Sequence, residues 1–168
     1  GITEYMVAYD GLSIVVNPNN NWFHSVTVKD LCRIWSSNTS AHACGGAGPH
    51  VTKWNELNAS WPDHEIKLYG PGTDSGTFDY FREVILTKYT SNITDQFFPS
   101  EDDNVLVQGV EGSPYAIGFF GFAYYTENQG KLKVLSVGGV APTAETAESS
   151  EYPISRPLFM YTPGVPAP

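Results

Sequence analysis

The sequence has 168 residues, of which 41% are apolar, so it supplies the hydrophobic core of one domain of ordinary size. Acidic residues outnumber basic ones by 18 to 9, which gives a formal net charge of −9 and excludes nucleic acid as a partner. The longest apolar stretch, residues 116–125, is far shorter than the roughly 20 residues of a membrane-spanning helix. The low charged fraction of 16% favours an exported protein. The chain opens without Met or a signal-peptide pattern, so we expect it to belong to something larger.

Local patterns in the first part of the chain predict one extended segment and one helix. Residues 6–16 form an apolar run that ends at a cluster of Asn and Pro, which predicts one long or two short buried strands. Thr27 and Asp30 resemble a capping box, and apolar residues at helical spacing follow. We therefore expect a short helix over residues 28–35, with a loop over residues 36–50.

The middle of the chain predicts a strand–turn–helix unit and a second helix. Residues 51–57 are expected to form one helical turn, and residues 65–69 an alternating strand that ends in a glycine-rich turn. The helix after this turn has one apolar face at helical spacing, formed by Phe78, Phe81, Ile85 and Tyr89. The acids in residues 100–103 predict the N-terminal cap of a helix that runs to about Val110, because acids favour the positive end of the helix dipole.

The remaining predicted elements alternate between strands and helices. They are a strand over 116–120, a helix over 123–128, a strand over 132–137, a loop over 141–150 and a strand over 157–161. Alternating elements are typical of an α/β domain with a mixed sheet flanked by helices. We assign residues 1–168 to one domain.

The two cysteines have three open interpretations. Cys32 and Cys44 enclose a polar loop rich in Gly, Ser and Ala, which favours a disulfide in an oxidising compartment over free thiols. His42 and His50 flank Cys44, so a zinc site is the sharper alternative. The spacings of these residues match no common zinc motif, and we expect no metal.

The turn over residues 70–77 is the motif that carries chemistry. It lies between a predicted strand and a predicted helix, where free backbone N–H groups and the helix dipole favour an anion. Ser75, Gly76 and Thr77 provide hydroxyl donors and a glycine that lets a ligand approach. An ordinary glycine turn with a Ser or Thr helix cap is the simpler interpretation. A Walker A loop is excluded because the turn contains no Lys.

Several separated segments of the sequence resemble, in the same order, the periplasmic phosphate-binding protein family. They are residues 9–12, 15–17, 31–35, 53–55, 72–78, 103–104, 107–110, 116–119 and 152–158. The resemblance runs from about residue 6 to residue 162 and implies the type II periplasmic-binding-protein fold, whose two lobes are joined by two strands. This sequence resembles the second lobe alone, which implies hinge strands near residues 9–16 and 157–161.

The resemblance also implies a function and a set of contacts. Members of the family bind inorganic phosphate and deliver it to ABC importers. The implied partners are therefore phosphate, the missing first lobe and the membrane permease, with a periplasmic or cell-surface location and no cofactor. The phosphate contacts of the family match Ser75, Gly76 and Thr77, with Thr73 and Asp74 as secondary candidates. A better-studied branch has an arginine where this chain has Pro71, and the selective acid of the family lies in the other lobe.

Two other functions stay open from the sequence. A serine hydrolase would use Ser75 as its nucleophile, although the residues around it do not form a nucleophile elbow and nothing places a histidine beside it. An extracellular interaction domain that has lost its ligand is the second alternative. Asn38, Asn58 and Asn92 begin glycosylation sequons, which such a domain would use.

Overall fold

The computed structural model describes residues 4–149 and 151–161. The strands in this part of the chain are β1 (Glu4–Val16), β2 (Ser25–Val26), β3 (Lys67–Pro71), β4 (Phe97–Ser100), β5 (Ala116–Gly121), β6 (Lys133–Val134), β7 (Ser136–Val137) and β8 (Ser155–Tyr161). The α-helices are α1 (Val28–Trp35), α2 (Gly76–Phe81), α3 (Asp103–Glu111), α4 (Phe122–Glu127) and α5 (Ala144–Glu148). None of these helices is long and apolar enough to span a membrane.

A mixed six-stranded sheet forms the centre of the protein, with the order β4-β3-β5-β1-β6 and with β8 paired to β1. β3 runs parallel to both β4 and β5, whereas β1 runs antiparallel to β5, β6 and β8. Parallel strands end at the same edge of a sheet. The carboxyl ends of β3, β4 and β5 therefore bring Pro71, Ser100 and Gly121 to one edge, which is where open α/β sheets bind their ligands.

Apolar residues cover both faces of this sheet. Along β5, Ile117 and Phe119 belong to one buried cluster, whereas Ala116 and Phe120 belong to a second. The alternation follows from the two-residue period of a strand. Helices α1 and α2 pack in the larger cluster, where Trp35 contacts the Phe119 ring at 5.2 Å, and α3 packs in the smaller one. The expected architecture, a mixed sheet flanked by helices, is confirmed.

The strongest local patterns are confirmed as elements. β1 is one long strand, and its residues from Leu12 to Val16 are buried. At the start of α1, the Thr27 hydroxyl accepts a hydrogen bond from the Asp30 N–H at 3.0 Å, which completes the expected capping box. Trp54 begins a 3-10 turn as expected.

Two segments differ from expectation because long-range pairing decides them. The sequence pattern does not predict β4, whose residues pair with β3 from Phe97 to Ser100. Residues 132–137 do not form one strand. They divide into β6, which pairs with β1, and β7, which pairs with the equally unpredicted β2.

Two further segments differ in their helical structure. The expected loop over residues 141–150 is wrong, because it contains α5, whose first turn is capped by a hydrogen bond from Thr146 N–H to the Thr143 hydroxyl at 3.1 Å. The helix after the glycine-rich turn does not keep one hydrogen-bonding pattern. It is α-helical to Phe81 and continues as a π-helix over residues 82–86 and a 3-10 turn over residues 87–89.

The expected disulfide is confirmed. Cys32 of α1 is bonded to Cys44, with their Cα atoms 5.6 Å apart, and both side chains are buried. The bond holds the loop that follows α1 against that helix. Because both thiols are consumed, Cys44 is not available as a zinc ligand, and no group of three metal-binding side chains occurs in the described residues.

Candidate functional site

The glycine-rich turn lies at the edge where the parallel strands end. β3 ends at Pro71, and the Gly72 N–H donates a hydrogen bond to the Ser100 carbonyl at the end of β4, at 3.2 Å. The Ser75 N–H then donates to the Gly72 carbonyl at 2.9 Å, which closes the turn immediately before α2. Pairing with β4 therefore fixes where the turn sits.

Ser75 is the N-cap of α2. Its hydroxyl oxygen accepts hydrogen bonds from the Thr77 N–H at 3.1 Å and the Phe78 N–H at 3.4 Å. A serine hydroxyl has one hydrogen to donate besides the lone pairs that accept. The helix uses only the lone pairs, and no described residue accepts a hydrogen bond from the Ser75 hydroxyl, so its hydrogen can donate to a bound group.

Further donors of the turn also lack a partner in the described part of the chain. The backbone N–H groups of Thr73, Asp74 and Gly76 donate no hydrogen bond to another described residue. Gly76 is exposed, and a Cβ built on it would meet no atom within 4 Å. A ligand can therefore approach the N–H of Gly76 as closely as a hydrogen bond requires.

Thr77 lies on the side of the turn that faces β5. Its side chain is half-buried, and its Oγ1 lies 3.7 Å from where a Cβ on Gly121 would stand. Gly121 ends β5 and is the N-cap of α4. The structure thus brings Ser75, Gly76 and Thr77 together at one edge, whereas Thr73 and Asp74 lie exposed beside them.

Acidic side chains of the segment that follows β4 lie beside the turn. The Glu101 carboxyl group lies against Gly72, and its Cδ is 2.6 Å from where a Cβ on Gly72 would stand. Burial raises the pKa of the Asp103 carboxyl, and the charges of Asp102 and Glu101 raise it further. A bound anion at this edge therefore has carboxylates for neighbours, which is electrostatically unfavourable unless a cation is added.

The basic side chain that follows α2, Arg82, already forms an ion pair. The Arg82 guanidinium lies 3.6 Å from the Asp79 carboxylate, one turn before it on the exposed side of the helix. Pro71 occupies the position of the family arginine and is buried at the end of β3. The turn thus offers an anion uncharged donors.

The histidines with described contacts lie away from Ser75. The Nδ1 atom of His50 lies 2.9 Å from the Arg33 carbonyl, and the ring of His64 stacks on Tyr115 at 4.0 Å. His24 contacts the Lys133 ammonium at 2.8 Å. None of these contacts positions a base beside Ser75.

Comparison with known proteins places the chain in a family. A family model described as a PBP superfamily domain matches residues 1–168. The chain belongs to the PBP superfamily. The protein SphX of Synechocystis sp. is 45% identical to this PBP domain over 163 residues, which cover 94% of the domain and 46% of SphX. The phosphate-binding protein PstS of Staphylococcus saprophyticus is 33% identical over 164 residues, which cover 95% of the domain and 46% of PstS.

Solved structures resemble the same PBP domain. A protein from Planctomyces limnophilus, described as a possible phosphate binding protein, superposes with a TM-score of 0.79 and 43% identity, over 96% of this domain and 55% of that chain. PstS from Borrelia burgdorferi has a TM-score of 0.76 at 23% identity, which shows the shared fold. The PBP domain spans about half the length of the curated relatives that it matches.

Sequence reasoning missed one neighbour of the turn in this PBP domain. The sequence pattern assigns Glu101 to the cap of α3, because local spacing shows only that an acid precedes a helix. The contact between Glu101 and Gly72 depends on the pairing of β4 with β3. The available signal was Gly72 itself, since a glycine that follows a strand often marks the close approach of another group.

Proposed function

We propose that this PBP domain is one lobe of a two-lobed phosphate-binding protein of an ABC importer, and that Ser75, Gly76 and Thr77 are its phosphate contacts. The observation that carries the proposal is the geometry of the Ser75 cap. Among the described residues, the cap leaves the Ser75 hydroxyl hydrogen and the Gly76 N–H without a partner, at the carboxyl edge of three neighbouring strands.

The relatives support the choice of ligand. PstS of Staphylococcus saprophyticus is named a phosphate-binding protein, and the 43% identical Planctomyces limnophilus protein is described as a possible one. The matched residues cover only 46% of the length of SphX and of PstS, which supports the proposal that this domain is one of two lobes. In this arrangement, β1 and β8 are the hinge strands, since they pair antiparallel from Glu4 with Tyr161 to Gly11 with Ser155.

The lone lobe should bind phosphate weakly. An uncharged hydrogen bond contributes about 0.5–1.5 kcal/mol and one to a charged group about 1.5–3 kcal/mol, and an open half-site leaves the anion in contact with water. The acids at the edge oppose binding, and Arg82 is engaged with Asp79. The first lobe must therefore supply the remaining donors, including the positive charge that Pro71 does not provide.

An exported location fits the same account. Disulfides form and persist in oxidising compartments, and the Cys32–Cys44 bond joins α1 to the loop that follows it. The proposed protein acts in the periplasm or at the cell surface, where it hands phosphate to the membrane permease.

Calorimetry on the two-lobed protein tests the proposed contacts. Phosphate is titrated into the natural protein and into Ser75→Ala, Ser75→Thr and Ser25→Ala variants. Ser75→Ala should weaken binding by roughly 5- to 150-fold, because it removes a donor to a charged, desolvated ligand. Ser75→Thr keeps the hydroxyl and should bind far better than Ser75→Ala, and Ser25→Ala, at an exposed serine of β2, should bind like the natural protein.

Two further compounds are tested in the same way: sulfate, which measures selectivity, and an activated ester, which tests for a hydrolase. Unchanged phosphate affinity in Ser75→Ala would show that the binding turn is misassigned. Absence of phosphate binding by the natural two-lobed protein would favour an interaction domain, and a Ser75-dependent burst of product from the ester would favour a hydrolase. Sulfate measures the selectivity of the assembled site.

A further inference from the structure

A cavity of about 460 Å³ opens at the end of the sheet opposite the glycine-rich turn. Its walls come from residues 50–52 and from the segments where β3 and β4 begin, residues 65–68 and 95–98. β3 has five residues, and a strand of that length separates its two ends by about 13 Å. Cavities of about 300–1,000 Å³ bind small organic molecules, so this one has the size of a second ligand site.

The backbone around the start of β3 explains why the cavity forms. The Ile66 N–H donates to the Thr52 carbonyl at 2.8 Å, whereas the next N–H, that of Lys67, donates at 3.1 Å to the residue before β5. Successive N–H groups of an extended chain point to opposite sides, so residues 50–52 lie on the side where β4 pairs with β3. That pairing begins only one residue after Lys67, which leaves space between β4 and residues 50–52.

The cavity has an apolar part. Val51, Ile66 and Leu68 in its lining are buried, and Phe97 is half-buried with its ring 6.1 Å from that of Trp35. Hydrocarbon that displaces water from these residues gains hydrophobic free energy. A ligand with an aliphatic stem is therefore favoured over a fully polar one.

Three charged side chains of the cavity lack an ionic partner. Glu65, Lys67 and Asp95 line it, and none of them forms an ion pair with a described residue. The cavity thus carries two negative charges and one positive charge. The best electrostatic match is a ligand with two cationic groups and one anionic group, because each charge then gains an opposite neighbour.

His50 adds an acceptor to the same cavity. Its Nδ1 atom lies 2.9 Å from the Arg33 carbonyl oxygen, and a carbonyl can only accept, so Nδ1 carries the hydrogen. In the neutral ring, Nε2 then has a free lone pair. This atom is buried and has no hydrogen-bond partner among the described residues. An N–H group of a cationic ligand would satisfy it.

We propose that this cavity binds a basic amino acid, of which arginine is the type. Such a molecule has two cationic groups, one carboxylate and an aliphatic stem, which match the charges and the apolar part of the cavity. The cationic groups pair with Glu65 and Asp95, and the carboxylate pairs with Lys67. The site is separate from the phosphate contacts and goes beyond the proposed function.

Calorimetry on the two-lobed protein tests the ligand class. L-Arginine, L-citrulline and agmatine are titrated separately at low ionic strength. Arginine should bind saturably, with one molecule per protein. Citrulline lacks the guanidinium charge and agmatine lacks the carboxylate, so each should bind at least about five-fold more weakly. Absence of arginine binding, or equal binding of citrulline or agmatine, would overturn the proposal.

Substitutions in the two-lobed protein test the assigned contacts. The Glu65→Gln/Asp95→Asn double variant should bind arginine at least about ten-fold more weakly, because two charge-assisted hydrogen bonds are lost. Lys67→Met should abolish the preference for arginine over agmatine. Glu83→Gln, at an exposed acid outside the cavity, should bind arginine like the natural protein. Unchanged arginine affinity in the double variant, or an equal loss in Glu83→Gln, would overturn the assignment.

Nuclear magnetic resonance on the natural two-lobed protein needs no variant. During an arginine titration, the backbone amide signals of Val51 and Gln96 should shift, and the Nε2 signal of His50 should change as this atom gains a donor. The Gly76 amide, at the other end of the sheet, should stay unchanged. Saturable arginine binding that moves Gly76 and leaves Val51 and Gln96 unchanged would overturn the proposal by placing the ligand elsewhere.

Discussion

Removal of the Cys32–Cys44 disulfide should lower the free energy of unfolding by about 3 kcal/mol. The two cysteines are 12 residues apart, and closing a loop of that length in the unfolded chain costs roughly 10 cal/mol/K of conformational entropy, which is about 3 kcal/mol at room temperature. Domains of this size lose roughly 2–4 °C of melting temperature per kcal/mol, so the midpoint should fall by about 6–12 °C.

The native loop itself should survive the loss of the disulfide. The Arg33 side chain donates from Nε to the Pro49 carbonyl at 3.1 Å, and the Arg33 carbonyl accepts from the Val51 N–H at 2.9 Å. These bonds hold both ends of the loop without the sulfurs. The effect should therefore arise mainly in the unfolded chain, and the fold should remain.

Urea unfolding followed by tryptophan fluorescence measures this change. The Cys32→Ala/Cys44→Ala variant and the natural protein are compared with and without a reductant. Reductant should destabilise the natural protein once it reaches the buried bond, and it should leave the variant unchanged. A loss below about 1 kcal/mol in the variant, or two alkylatable thiols in the unreduced natural protein, would refute the reasoning.

Three further changes test the packing and the charges. Gly70→Ala places a Cβ 2.7 Å from the buried Phe119 ring, so thermal unfolding should show a loss of about 1–3 kcal/mol, whereas Gly130→Ala, which has open space, should show little. Tyr152→Phe removes a buried hydroxyl that has no hydrogen-bond partner in the described residues, so urea unfolding should show equal or higher stability. The folded state raises the pKa of Asp103, mainly through burial, so stability should fall as pH rises from the unfolded pKa through the raised one. Asp103→Asn should make the free energy of unfolding depend less on pH in this range. A stronger dependence on pH in the variant would contradict the raised pKa of Asp103.

The elements that sequence reasoning identified are those with strong local signals. The apolar run of β1 and the capping box of Thr27 and Asp30 each act within a few residues, so their structure follows from neighbouring side chains. The Ser75 cap is another local signal, and the structure places it at the start of α2. α5 was missed because its short, polar sequence resembles a loop, and Ala147, which is buried, has a small side chain.

The parts that sequence reasoning missed depend on contacts between distant segments. β4 is short and contains Pro99, so its identity as a strand comes from pairing with β3 and not from its own pattern. The same pairing brings Glu101 to Gly72, across about thirty residues of sequence. The contact of Glu101 with the turn and the exposure of Phe98 follow from that one strand, so local sequence patterns could not predict them.

The backbone amide of Gly76 gives the most direct test of the phosphate site. In a nuclear magnetic resonance titration of the two-lobed protein with phosphate, the Gly76 N–H should shift strongly and exchange more slowly with water, because it gains a charged acceptor. The amide of Gly46, in the exposed loop closed by the disulfide, should not move. Saturable phosphate binding with no change at Gly76 would contradict the account.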